Sequence, residues 1–193
     1  MEDYEPLLAF WVDEVGPEGW YKKDAALDQR IRENYAHLWE RTVNGDRLGW
    51  TAHPRSTLAL LILLDQFPRN MFRGDPRAFA TDRHAVAVAK QAIDRGWDMR
   101  TSEPARQFFY LPLMHSECLE DQERCVRLML ERMPQEGEDN LLHAKAHREV
   151  IRLYGRFPTR NCDLGRASTQ KEAQYLGNGG YGTLLNALST AAG

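Results

Sequence analysis

From Leu58 to Leu64 the chain runs through seven consecutive apolar residues, then turns polar at Asp65, Gln66, Arg69, Asn70 and Arg73. A segment apolar on every side must be buried on every side, so this pattern predicts a central helix, opened by Pro54 or Ser56, whose polar end reaches a surface. Helical spacing of apolar residues marks other segments. Tyr4 to Val15 carries Leu7, Leu8, Phe10, Trp11 and Val15, and Gly16 to Gly19 breaks it. Asp24 is placed to cap a helix holding Leu27, Ile31, Tyr35 and Leu38, with Gly45 at its end and a loop over residues 46–53. Thr81 or Asp82 opens an alanine-rich helix to Gly96, and Ser102 opens another that Pro112 should kink or break. Residues 117–133 read as amphipathic, with Leu119, Val126, Met129, Leu130 and Met133 inward and Glu117, Asp121 and Arg124 outward. A further helix runs from Leu141 to Tyr154, and Thr169 with Glu172 suggests a capping box on a last short one. No stretch alternates apolar and polar residues over a strand's length, so the fold class is all-α. One helical domain is expected over residues 1–176, and the glycine-rich run beginning at Gly177 marks 177–193 as a flexible tail.

The polar end of the buried helix has an echo. Leu63 to Asp65 leads into Phe67-Pro68-Arg69-Asn70, and Leu153 to Arg156 leads into Phe157-Pro158-Thr159-Arg160-Asn161. Two readings are open. Proline stops a helix, arginine suits the negative end of its dipole, and asparagine tolerates a left-handed turn, so both copies could be helix terminators. Alternatively, the loops meet and present guanidinium forks and amides to a carboxylate or phosphate. Asp65 near the helix end opposes the dipole, so Arg69, Arg73, Arg156 or Arg160 is expected to pair with it.

Composition narrows the classes. The 193 residues are 42% hydrophobic and 27% charged with a formal net charge of -3, which offers no basic excess for nucleic acid. No apolar run reaches the roughly 18 residues of a membrane span, and the acidic start Met1-Glu2-Asp3 lacks a signal peptide's basic region, so a cytoplasmic location is expected. Cys118, Cys125 and Cys162 form no CxxC pair and are expected to be reduced, without a disulfide framework or a zinc knuckle.

Candidate chemistry gathers at His115 and Glu117, an imidazole and a carboxylate close enough to share a proton-transfer task, with Asp121 on the same helix. A solvated ion-pair face would have the same spacing. Gln122 points towards the core and would need hydrogen-bond partners there. His143 and His147 have the i, i+4 spacing of a zinc helix, but Ala144 stands where a hydrolytic enzyme needs glutamate. His147 also shares a face with Ala144, Ile151 and Tyr154, where a hydrogen-bonded core histidine is the commoner occupant. No metal or other cofactor is expected.

The ordered motifs ILLDQFPRNMFRG from Ile62, RAFATD, FFYLPLMHSE, DQE, HREVI, GRFPTRN and LGRAST resemble the bacterial DUF924 family, over about residues 5–175. The resemblance implies a fold similar to tetratricopeptide repeats, an α-α superhelix of stacked antiparallel helix pairs, and no settled activity. Its pattern falls on Asp65, Gln66, Arg69, Asn70, Arg73, His115, Glu117, Asp121, Gln122, His147, Arg156, Arg160 and Asn161. Two positions depart from it: Cys118 stands where the family usually has Asp, and Thr159 where it usually has His. Two functions follow as expectations. One is binding, with possible turnover, of a small polar or anionic molecule held by the arginines, with His115 or Glu117 moving protons. The alternative is a peptide-interaction groove without catalysis.

Overall fold

A computed structural model describes residues 3–46 and 49–192. Met1 and Glu2, part of the loop expected over 46–53, and Gly193 at the end of the expected tail lie outside the described residues. The chain is all-α, with no strand among the described residues. Its contacts cluster into two compact units, Met1–Pro112 and Leu113–Gly193, where the sequence suggested one domain over 1–176.

In the first unit, α1 (Glu5–Leu8) widens into a π-helical segment, Ala9–Val15, and the chain turns at Gly16, with φ of 63°, into α2 (Gly16–Trp20). The positive φ is a conformation open to glycine. α3 (Ala25–Val43) is capped by the Asp24 carboxylate, which accepts from the Ala26 and Leu27 amides, and Gly45 follows its end in the left-handed region.

The central helix starts as α4 (Pro54–Leu61) with proline in its first turn. It does not stop at Phe67-Pro68. A π-helical segment, Ile62–Gln66, carries it into α5 (Phe67–Met71). The Phe67 amide reaches back to the Ile62 carbonyl, and the Leu64 carbonyl, which Pro68 cannot serve, accepts from Thr81 Oγ1 at 2.6 Å. Both the extra residue in the turn and the outside donor relieve what proline takes from a helix. Leu61 to Leu64 and Phe67 are fully buried. α6 (Asp82–Asp94) follows Thr81, whose hydroxyl serves Leu64 instead of capping. The expected long helix after Ser102 is instead a 3₁₀ turn, Ala105–Phe109, followed by the short α7 (Leu111–Met114), which contains the boundary between the units.

In the second unit, α8 (Leu119–Arg132) and α9 (Glu138–Tyr154) form an antiparallel hairpin, joined by the ion pairs of Glu123 with Arg148 and Arg152. The buried stripe of α8 is Asp121, Gln122, Cys125, Leu128 and Met129, while Leu119 and Leu130 are exposed. The expected inward face is therefore rotated, and Asp121 lies inside it. The rotation satisfies polar groups of the preceding loop: Gln122 Nε2 donates to the carbonyls of Leu113, Met114 and Ser116, and Asp121 accepts from Ser116 Oγ at 2.8 Å. Gly155, with φ of 69°, ends α9, and a 3₁₀ turn covers Pro158–Arg160. Here the helix has already stopped before Phe157-Pro158, so the two Phe-Pro copies are different devices.

α10 (Gln170–Gly177) opens with the Thr169–Glu172 capping box. In the stretch read from composition as a flexible tail, residues 180–192 form α11 (Gly180–Ala192). Tyr181 and Leu184 of this helix pack with Tyr154 and Tyr175 on a cluster of Val150, Ile151 and Phe157. Apolar side chains one helical turn apart give α11 a face to bury, which outweighs its glycine content. Helix-on-helix packing within each unit accords with stacked helix pairs. Among the described residues no helix is long and apolar enough to cross a membrane, and Cys118, Cys125 and Cys162 are not joined in a disulfide.

Candidate functional site

The polar end of the central helix is an internal network of the first unit. Arg69 forms a two-pronged pair with Asp82, at 2.9 and 3.1 Å, lies 3.7 Å from the buried Asp65 carboxylate, and donates to the Asp65 and Ala78 carbonyls. Burial works against its charge, but Asp65 and Asp82 outweigh that and raise its pKa further. Gln66 Nε2 donates to Asp65 at 2.5 Å. Asn70 and Arg73 both turn to Asp28 of α3, Arg73 through Nε at 2.5 Å and Nη2 at 3.0 Å. Of the four arginines expected as partners for Asp65, Arg69 is the one that meets it. Asp82, read from sequence only as a helix opener, shares that arginine, while Asp28, which the sequence did not single out, takes Asn70 and Arg73.

The other candidates belong to the second unit. Glu117 accepts from both terminal nitrogens of Arg166, at 2.8 and 3.0 Å, and from the Phe157 amide at 2.8 Å. Burial opposes its ionisation, yet these donors and the charges of Arg166 and Arg160 hold its carboxyl below the usual value. Arg166 also bonds Asn161 Oδ1 and the Phe157 carbonyl, and Asn161 Nδ2 reaches Ser168. Arg156 pairs with the buried Glu172, whose carboxyl is held at about 2 by that arginine and by the Thr169 amide. These contacts clamp residues 156–172 together and tie them to Glu117 in the loop before α8.

Beside the clamp lies a cleft of about 280 Å³, lined by His147, Val150, Phe157, Pro158, Thr159, Arg160, Tyr175 and Tyr181. Arg160 is its charged group: the guanidinium sits 4.5 Å above the Phe157 ring and donates to the His115 carbonyl at 2.9 Å. His147 stands edge-on to Phe157 and Tyr181, with the His115 ring 6.1 Å away. Its Nδ1 lies 2.9 Å from the His143 carbonyl and 3.2 Å from Tyr181 Oη. Burial, reinforced by His115, lowers its pKa to about 3, so the ring is neutral at physiological pH. Tyr181 Oη is 2.6 Å from His143 Nδ1. The Tyr175 hydroxyl is buried and has no hydrogen-bond partner among the described residues. Cysteine, histidine and carboxylate side chains form no cluster of three able to hold a metal ion among the described residues.

A sequence profile described as "Bacterial protein of unknown function (DUF924)" matches residues 7–180. The chain belongs to the DUF924 family. Comparison with curated proteins gives no match. A solved structure of a protein of unknown function from Agrobacterium tumefaciens is 39% identical, with a TM-score of 0.82, over 90% of this chain and 96% of that one. The DUF924 match ends at Gly180, one residue before Tyr181 of the cleft.

Of the candidates read from sequence, the second unit brings His147 and Arg160 into the cleft. Glu117, Arg156 and Asn161 form the clamp, and Asp121 and Gln122 serve the loop before α8. Asp65, Gln66, Arg69, Asn70 and Arg73 belong to the network of the first unit. Sequence reasoning missed Tyr175, Tyr181 and Arg166. Arg166 stood in the LGRAST motif of DUF924 without a role, whereas Tyr181 was hidden by the glycines around it. Thr159, one of the two departures from the family pattern, lines the cleft.

Proposed function

We propose that the Leu113–Gly193 unit binds a small anion with an apolar body in the cleft at Arg160. The observation that carries this reading is the make-up of the lining, one arginine and no carboxylate among aromatic and aliphatic walls. A guanidinium held in place on a ring is a preorganised partner for a carboxylate or phosphate. The size, about 280 Å³, is at the low end for ligand sites and suits a single-ring acid rather than a nucleotide or a peptide. Glu117 supports the site by positioning residues 157–166 through Arg166, and it does so as a carboxylate already engaged. Asp65, Arg69, Asn70 and Arg73 contribute as structural pairs of their own unit. Titration calorimetry with phenylacetate tests the proposal. Arg160→Gln is expected to weaken binding at least tenfold, and Arg69→Ala to leave the affinity of the folded protein unchanged. Equal affinity in Arg160→Gln and wild type overturns it.

A further inference from the structure

The cleft also contains a hydrogen-bond acceptor with a defined orientation. A carbonyl oxygen can only accept, so the 2.9 Å contact between His147 Nδ1 and the His143 carbonyl places a proton on Nδ1. Tyr181 agrees with that assignment. Its oxygen, 3.2 Å from His147 Nδ1, is a second acceptor for the same proton, which leaves its own hydroxyl hydrogen to donate elsewhere, with His143 Nδ1 in reach at 2.6 Å. The opposite arrangement, with Tyr181 donating to His147, would set a bare ring nitrogen against the His143 carbonyl. In a neutral imidazole with Nδ1 protonated, Nε2 carries a lone pair. Burial keeps the ring neutral. No residue donates to Nε2 among the described residues.

We infer that the ligand of this cleft carries, beside its anionic group, a hydroxyl or other hydrogen-bond donor that is received by His147 Nε2. The class is therefore acids that bear such a donor, with hydroxy acids as the simplest members, and not plain carboxylates. The inference rests on the cleft being an anion site at Arg160, and it adds a second polar point to it. The two points divide the work. Arg160 takes the charge, the Phe157, Tyr175, Tyr181 and Val150 side chains take the body, and His147 selects the donor. Tyr181 orders this selection, because from α11 it helps hold the His147 ring in the tautomer that accepts. With its pKa lowered to about 3, His147 is a weak base at neutral pH and acts as an orienting acceptor rather than a proton carrier.

The test uses the full-length protein and three probes that share a phenyl ring: mandelate, phenylacetate and O-methylmandelate. Mandelate adds a hydroxyl donor to phenylacetate; O-methylation removes the donor and keeps the oxygen while adding a methyl group, and phenylacetate controls for that added bulk. Calorimetry at pH 7 is expected to show mandelate binding about fivefold more tightly than either of the others, the gain of one hydrogen bond. In His147→Phe that preference disappears, read as the ratio of mandelate to phenylacetate affinity within the same variant. Mandelate and phenylacetate binding equally well to the wild type overturns the hydroxy-acid inference and leaves the anion cleft standing. A preference that persists in His147→Phe overturns His147 as the acceptor. Absence of binding by all three, or binding indifferent to Arg160→Gln, overturns the anion cleft and this inference with it. The wild-type comparison of the three probes decides the matter even where the histidine variant fails to fold.

Discussion

The roles of individual side chains here follow from what each charge is paired with. Arg69 is one-fifth exposed and faces Asp65 and Asp82, which are 1% and 15% exposed. Removing it leaves two carboxylates without their main counter-charge in a poorly solvated place, and Arg69→Ala is expected to cost about 3–5 kcal/mol. All five tryptophans precede residue 113, so tryptophan fluorescence during urea unfolding reads the loss in the unit concerned. His147 ties stability to pH in a direction that can be worked out. Its folded pKa is lowered from 6.5 to about 3, chiefly by burial. Its contribution is thus complete above pH 6.5 and declines as pH falls towards 3, because the unfolded chain takes up the proton first. Arg160, His115 and His143 around the ring all disfavour a second positive charge. Between pH 7 and pH 5, above the range of most carboxylates, the unfolding midpoint by circular dichroism should fall less for His147→Phe than for wild type.

At the scale of elements, the two Phe-Pro segments show how one short motif takes different structures. In the central helix, Pro68 is absorbed because a π-helical turn shifts the amide register and Thr81 supplies a donor to Leu64. After α9, Gly155 stops the helix before the proline arrives. Neither outcome is written in the Phe-Pro motif itself. α8 presents the reverse case, a local defect that can be read directly. Cys118 has the extended backbone of an N-cap but gives no side-chain cap bond. An aspartate there can accept from the amides of the first turn and favourably meets the helix dipole. Cys118→Asp is expected to stabilise the protein by about 1 kcal/mol, measured by denaturant titration followed in far-ultraviolet circular dichroism. No gain would mean that the first turn of α8 is already served by other acceptors.

For the whole molecule, the charge balance bears on the proposed anion site. A net charge of -3 gives no extended basic field, and the cation of the candidate site is local. An anion that binds only the folded protein stabilises it by mass action, by about 2.7 kcal/mol at one hundred times its dissociation constant. Phenylacetate at that excess should raise the circular-dichroism midpoint of the wild type and raise that of Arg160→Gln no more than about half as far, since a tenfold weaker site gains only about 1.4 kcal/mol. The sequence by itself determined the all-helical class, the buried stretch from Leu58 to Leu64, the caps at Asp24 and Thr169, and the family. These are readable because helix periodicity and capping involve residues within a few positions of one another. Tertiary structure alone decided which acid each arginine meets. Asp28 lies 45 residues from Arg73, and Glu117 lies 49 from Arg166. It also decided that Tyr181, 38 residues beyond His143, completes a cleft instead of belonging to a tail. Such pairs depend on the path of the chain between them, and an ion pair or a cleft wall has no periodicity by which local sequence could announce it.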